Sequence, residues 1–307
     1  MRAIVVGLGI QGKKRSAIAG SELVATVDPV HPEANYKDLK DVPIEKYDAA
    51  LVCTPDEAKV EILTYLLSNK KHVLVEKPLL TKNTDVLISL KSLAEKNKVT
   101  LYTAYNHRFE PHFVNLKKLI EKQELGKLYL AKFFYGNGTA RDVRNSVWKD
   151  KGSGVLADIG SHLLDTIYFL FGNKVEDIVK KNFNAFENKS FDHVLFGTSE
   201  NYKGLPALDL EATMLSWRNT FRLDLFAENG SAHIDCLCKW GPSTFTVRKR
   251  VLPSGVPPEE GIVLKCSDPT WKLEYDHFKN LTLKAENNTD ADIWILKTLQ
   301  KLGGNNL

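Results

Sequence analysis

Two groups of residues in this chain have the types and spacing that proton transfer requires. The first is Glu76-Lys77-Pro78, at the end of the apolar run Val73-Leu74-Val75. A short, uninterrupted apolar run reads as a strand buried on both faces. Pro78 cannot donate to a sheet ladder, so the strand stops there. Parallel sheets open onto a ligand crevice at the carboxyl ends of their strands. Lys77 is therefore expected at the mouth of that crevice, where burial and neighbours can tune an ammonium for proton transfer. An ordinary strand followed by a solvated Glu–Lys pair is the competing reading.

The second group is Asp158-Ile-Gly160-Ser-His162-Leu-Leu-Asp165. If a helix starts near Asp158, then Asp158, His162 and Asp165 share one face at i, i+4 and i+7. Asp158 would serve equally well as the N-cap. A histidine beside Leu163 and Leu164 is more often a satisfied core residue than a reactive one. Gly160 in the first turns of a helix costs stability and suggests a close approach to the backbone. Oxidising a secondary alcohol requires its hydroxyl proton to leave while hydride departs from the same carbon. If His162 faces Lys77, the imidazole takes that proton and Lys77 polarises the oxygen. Asp158 then orients the ring or holds the substrate.

The elements that must position these groups begin at the first residues. Ala3-Ile4-Val5-Val6 is a short apolar strand followed at once by Gly7-Leu8-Gly9-Ile10-Gln11-Gly12, and a second strand, Leu23 to Val27, ends on Asp28. This is G-x-G-x-x-G between strand and helix, with an acid about 20 residues on, the dinucleotide-binding pattern. Gly7 permits the tight turn, Gly9 lets the backbone approach a pyrophosphate, and Gly12 lets helix and strand pack closely. The helix N-terminus offers N–H groups and a positive dipole end to the phosphates. Asp28 can accept the ribose hydroxyls of NAD and repels a 2′-phosphate, which favours NAD and leaves NADP open. Lys13, Lys14 and Arg15 oppose the dipole; they read as a solvated face or as added attraction for phosphates. Strand–helix alternation continues to Ala104, with Asp56 expected to cap one helix and Asn83 or Thr84 the next. This argues a doubly wound parallel sheet whose turns at Thr54, Lys77 and Asn106 line one edge.

After Pro111 the strands alternate apolar and polar residues, at 127–135, 212–217, 220–226, 231–235, 244–251 and 262–266, before two terminal helices. Hairpin-linked strands of this kind suggest an open, mainly antiparallel sheet with helices on one face. Its other face, read as aromatic and aliphatic, is a candidate interface for a homodimer or homotetramer. The 307 residues suffice for two cores, and a net charge of +4 is too mild and dispersed for nucleic acid. Four cysteines make no disulfide framework. Cys236 and Cys238 are expected on one strand face, and no metal site is expected. No run approaches membrane-spanning length, and Met1-Arg2 leads straight into a strand, so no signal peptide is expected and the reading is cytoplasmic.

Gly7–Gly12 with Asp28, Glu76-Lys77-Pro78 and Asp158-x-Gly-x-His162 together resemble the Gfo/Idh/MocA oxidoreductases, in order and over nearly the whole chain. The resemblance implies an α/β protein: an N-terminal Rossmann domain (1–108), then an α+β domain (109–307) with a large open sheet, a C-terminal helix packing back on the first. It implies NAD(P) chemistry on a secondary alcohol or ketone of a sugar, sugar acid, nucleotide sugar or polyol. Lys77, Asp158 and His162 match the family's catalytic positions and, with Arg108 and Trp148, its substrate-binding ones. Cys53-Thr54-Pro55, Glu76 and Asn106 match turns that line the cofactor, beside Gly7, Gly9, Ile10, Gln11, Gly12 and Asp28. Members often carry a histidine a few residues after Thr-Pro; here the sequence runs Asp56-Glu57-Ala58-Lys59. Arg108, Arg141 and Arg144 are candidates to bind a substrate phosphate or carboxylate, with solvated loop arginines as the alternative. A redox-assisted glycosidase or lyase and a non-catalytic NAD sensor are the rival functions on the same scaffold.

Overall fold

A computed structural model describes residues 1–146, 150, 152–175, 177–198 and 205–303. The chain opens with β1 (Ala3–Val6), α1 (Ile10–Ala19), β2 (Leu23–Val27), β3 (Ala49–Val52), α2 (Asp56–Ser68), β4 (His72–Glu76), α3 (Thr84–Asn97) and β5 (Leu101–Ala104). Then follow α4 (Pro111–Glu121), β6 (Leu128–Gly136), α5 (Ala140–Arg144), a π turn (Leu156–Gly160) and α6 (Ser161–Phe171). The last elements are β7 (Ile178–Asn184), β8 (His193–Thr198), β9 (Ala207–Thr213), β10 (Thr220–Ala227), β11 (Gly230–Asp235), β12 (Ser243–Lys249), β13 (Glu259–Leu264), α7 (Thr270–Thr282) and α8 (Thr289–Gly303). Two compact units result, one of residues 1–106 and 271–297, the other of 107–270 and 298–307. The stretch 271–297, expected within the second domain apart from a returning helix, is thus assigned to the first unit.

In the first unit the sheet order is β2-β1-β3-β4-β5, all parallel. Strands β1, β3 and β5 are buried at every residue, as doubly covered strands must be. Leu63, Leu66 and Leu67 of α2 and Leu87, Leu90 and Ala94 of α3 pack on one face against Val52, Val73, Val75 and Leu101. Tyr275 and Phe278 of α7 join Ala19 of α1 on the other face, over Val5, Leu51, Leu74 and Tyr102. Burying each of those two aromatic side chains is worth roughly 2–3 kcal/mol. Edge strand β5 is closed by a side chain: Thr103 N–H donates to Asn288 Oδ1 (2.8 Å), and Asn288 Nδ2 donates back to Thr103 O (2.9 Å). An edge covered in this way offers no template for another chain. Asn83 caps α3 by accepting from Val86 N–H at 3.3 Å. Asp56 does not cap α2; Pro55 holds the cap position and Asp56 is the first helical residue.

In the second unit eight strands run β13-β12-β11-β10-β6-β9-β8-β7, antiparallel except at β6–β9. Ala131, Phe133, Tyr135, Leu208, Leu210, Phe221 and Leu223 are buried on the inner face. There Phe113 of α4 meets Phe221 at 5.2 Å and Tyr135 faces α6. The outer face differs from the expectation. It is largely charged, with a cavity of about 380 Å³ lined by Lys132, Phe134, Leu195, Asp209, Glu211, Arg222 and Asp224, together with Phe133.

Other local departures have physical causes. β7 escapes a period-two reading because Lys180, Lys181 and Asn182 interrupt the alternation, and its register with β8 shifts between Lys180 and Asn182. The strand expected over 212–217 lies earlier and ends at Thr213, before the left-handed Trp217 (φ 55°). Cys236 is also left-handed (φ 67°) and Cys238 opens a 3-10 turn, so they share no strand face. Among the described residues, no helix is long and apolar enough to cross a membrane.

Candidate functional site

In the first unit the glycine turn has the geometry its spacing implies. Gly7 has φ +93°, and a Cβ there would lie 2.7 Å from Cys53 O. A Cβ on Gly12 would sit 1.8 Å from Gly7 O, so only glycine lets α1 start this close to β1. Above Gly9 there is open space within 4 Å. α1 has no side-chain cap and no acid in its first turn, which leaves its amino-terminal end suited to an anion. Ile10 is 77% exposed beside it, and Gln11 is exposed as well.

Asp28, at the end of β2, accepts from Leu8 N–H (2.7 Å), Val30 N–H (2.9 Å) and His31 N–H (2.8 Å). Burial alone would raise this carboxyl, but those three backbone donors outweigh it and hold it below the usual carboxylate range. A carboxylate has about four lone-pair sites, so capacity remains for a ribose hydroxyl. Across the turn, the Thr54 hydroxyl oxygen is shielded from solvent and has no hydrogen-bond partner among the described residues. Cys53 beside it is half-buried, and burial pushes its thiol up, so it is no thiolate; Pro55 is exposed. An open glycine cradle, a ribose-type carboxylate and an unpartnered hydroxyl together fit a dinucleotide.

Arg15 follows neither reading given to the basic cluster. It is 1% exposed, donates from Nε to Glu76 Oε1 (2.7 Å), pairs through Nη2 with Glu274 Oε2 (2.7 Å), and lies 4.3 Å from the Trp271 ring centre. Glu76, expected to line the cofactor, is therefore committed to an ion pair through one oxygen. Lys77 is half-buried and Asn106 buried, each just past the carboxyl end of its strand, β4 and β5 respectively. The Lys77–Pro78 peptide bond is cis.

In the second unit the helix that carries Asp158 and His162 begins earlier than expected. Gly154 has φ +53°, and its Cβ would lie 2.3 Å from Phe191 O; the next residue, Val155, donates its N–H to that same oxygen at 2.8 Å. The chain then makes a π turn over Leu156–Gly160 before α6. Asp158 is thus an exposed residue inside a π turn, not an N-cap, and its phase with His162 is not the simple i, i+4 of an α-helix. What lies close to Gly160 is the helix's own Leu156, whose side chain would be 3.1 Å from a Cβ added there.

His162 is 9% exposed and stacks on His107, with ring centres 4.0 Å apart and planes at 17°. Tyr135 faces both rings, at 5.6 Å and 6.1 Å, and Trp240 meets it at 5.5 Å. Lys239 Nζ lies 3.5 Å from His107 Nε2. Burial, reinforced by the Asp158 and Glu110 carboxylates, pushes the Tyr135 phenol up, so it stays a neutral hydroxyl. His107 escaped the sequence reading although it lies between two named residues, Asn106 and Arg108.

Arg108, expected to meet the substrate, is engaged by a carboxylate of its own unit. Its guanidinium grips both oxygens of the buried Asp165, with Nε at 3.0 and 2.9 Å and Nη2 on the same carboxylate. Asp165, expected on one face with Asp158 and His162, is the partner of Arg108. Arg144 is likewise engaged, donating to Glu187 O at 2.6 Å, whereas Arg141 is exposed on α5. Trp148 lies outside the described residues.

Residues 1–105 match the family model for the GFO/IDH/MocA oxidoreductases with an NAD-binding Rossmann fold, and residues 113–233 match that family's C-terminal domain. The chain belongs to this family. The uncharacterized oxidoreductase YrbE of Bacillus subtilis (strain 168) is 28% identical over 214 residues, 66% of this chain and 59% of that protein. Myo-inositol 2-dehydrogenase of Thermotoga maritima is 30% identical over 150 residues, 48% of this chain and 43% of that one. The chain thus spans about half the length of the curated relatives it matches. Levoglucosan dehydrogenase in complex with NADH shares the fold, with a TM-score of 0.83 over 98% of this chain and 95% of the other at 15% identity.

Proposed function

We propose that this protein is an NAD-dependent dehydrogenase that moves hydride between nicotinamide and a ring carbinol or ketone of a sugar, polyol, sugar acid or nucleotide sugar. The observation that carries the reading is the Leu8–Asp28 contact, a carboxylate fixed to the glycine turn at 2.7 Å. It sets an anion where a ribose diol binds and a 2′-phosphate is repelled, so NAD is the cofactor. Gly7, Gly9, Ile10, Gln11 and Gly12 form the phosphate cradle, and Cys53, Thr54, Pro55, Glu76 and Asn106 line the remaining turns. Bound nicotinamide supplies the hydride chemistry at its ring. Lys77 polarises the substrate oxygen, His162 accepts or returns its proton, and Asp158 orients the substrate. These three roles rest on residue type and on the family resemblance. The stacking of His107 on His162 supports a fixed ring plane for proton transfer.

With Arg108 and Arg144 engaged elsewhere, Arg141 is the candidate for a substrate anion, and a neutral polyol or sugar needs none. The charged outer sheet face is the proposed surface for a homodimer or homotetramer, and the cytoplasm is the proposed compartment. The test combines NADH and NADPH fluorescence titrations with a sugar, polyol and nucleotide-sugar panel followed by absorbance at the NADH band. Tighter NADH than NADPH binding and net NADH formation with one panel member are expected. Equal affinity for the two cofactors overturns the NAD assignment. Substrate consumption with no net NADH overturns the dehydrogenase in favour of an internal redox cycle. Lys77→Ala is expected to bind NADH normally and lose turnover about 100-fold or more; unchanged turnover removes Lys77 from the mechanism.

A further inference from the structure

Lys59 carries a positive charge on the buried side of α2. It is 2% exposed, in register with Leu63, Leu66 and Leu67, which line the core. Its ammonium has three donors and meets three oxygens: Glu76 O at 2.7 Å, Pro78 O at 2.8 Å and Asp56 Oδ1 at 2.7 Å. The two carbonyls belong to the residues immediately before and after Lys77. Burying an ammonium without acceptors costs several kcal/mol. Rotating either flanking peptide away therefore carries a large penalty, and the backbone at Lys77 is held from both sides by one cation. Arg15 separately holds the Glu76 side chain at 2.7 Å, so the two cations divide the turn between them, one on its backbone and one on its carboxylate.

We infer that Lys59 is the positioning residue of Lys77: its ammonium, anchored on α2, fixes the turn from which the Lys77 side chain projects. The inference rests on the proposed role of Lys77 only for its consequence in turnover, not for the clamp itself. A lysine-length stem with a compact, multi-donor head suits a group that must start on the helix and reach both carbonyls. The misplacement expected on losing it is about an ångström, which costs on the order of 100-fold in a positioned reaction.

The test uses Lys59→Met, which keeps the stem and removes the donors. Reductive methylation with labelled formaldehyde gives each accessible lysine an NMR signal, the buried Lys59 staying unmodified, and the Lys77 signal is assigned by its loss in Lys77→Arg. The clamp predicts that Lys59→Met shifts the Lys77 signal and lowers kcat about 100-fold, while NADH Kd and substrate KM stay within about threefold. Asp56→Asn leaves both carbonyl bonds of Lys59 in place, so its Lys77 signal and kcat are expected to stay near wild type. If Lys59→Met does not fold, the same signal is read in Lys59→Gln, whose shorter side chain offers two N–H donors in place of three, and a smaller shift is expected. An unmoved Lys77 signal in a folded variant overturns the clamp, whatever happens to turnover. A shifted signal with unchanged kcat supports the clamp and overturns the catalytic role of Lys77, so the two readings fail separately.

Discussion

Replacing Arg15 by Met tests the most deeply buried charge network of the first unit. Arg15 is 1% exposed, its partner Glu274 0% and Glu76 12%. Removing the cation leaves one carboxylate with no solvent contact and another with little. Breaking a buried pair by deleting one partner typically costs about 3–5 kcal/mol, because a buried charge is left uncompensated. That range applies here, since the guanidinium pairs with both acids. Met keeps an apolar stem against Trp271, so the loss of packing is small beside the electrostatic loss. At about 2–4 °C per kcal/mol, the first unit should melt about 10 °C lower at pH 7.

The sign with pH follows from the same picture. The Arg15 guanidinium is raised despite its burial, through Glu274 and then Glu76. Its contribution is present at all pH values below its ordinary range and does not titrate between pH 5 and 9. The Arg15 contribution itself should therefore be the same at pH 7 and at pH 5. Adding Glu274→Gln should recover at least half of the loss, because the buried charge leaves with its partner. Scanning calorimetry at both pH values measures this. A shift below about 2 °C at pH 7, or a double variant whose loss equals the sum of the singles, refutes the reasoning.

Gly12→Ala places a methyl 1.8 Å from Gly7 O, so the turn must move; NADH affinity is expected to fall at least about tenfold in a fluorescence titration. Asp28→Asn should cost roughly 1–3 kcal/mol between pH 5 and 8, since an amide has one acceptor oxygen for three backbone donors. The Asp28 carboxyl is depressed in the fold, so its contribution is complete above its unfolded pKa and is lost as pH falls through the lower folded value. Urea midpoints of wild type and variant should therefore converge below about pH 4, and NADPH should bind the variant better than the wild type. Arg108→Met should destabilise the second unit by about 3–5 kcal/mol through the stranded Asp165, with substrate KM within about threefold; a KM rise with unchanged stability would return Arg108 to the substrate.

Much of this molecule was readable from local pattern. Gly7, Gly12 and Asp28 were legible because their demands are local: a positive φ, a missing methyl and a carboxylate at a strand end. The parallel core was legible because doubly covered strands are apolar throughout. What escaped depends on partners distant in sequence. Arg15 looked like one of three solvated cations, and only Glu76 and Glu274, far along the chain, make it a core residue. The partnership of Arg108 with Asp165 was hidden for the same reason, since the two lie 57 residues apart in the chain. Strand β7 was missed because its lysines and its register shift hide the alternation.

Of the two buried cations in the first unit, Lys59 had a signal in the sequence that the helical stripe makes visible. It precedes Leu63, Leu66 and Leu67 at i+4, i+7 and i+8, which is the buried stripe of a helix. A lysine on that stripe must find buried acceptors or leave the stripe, because an isolated ammonium is too costly to bury. A strand end closed by a proline offers them, because the ladder has stopped there and carbonyls are left to spare. In this chain the Lys59 ammonium on α2 takes up two of those carbonyls, Glu76 O and Pro78 O, on either side of Lys77.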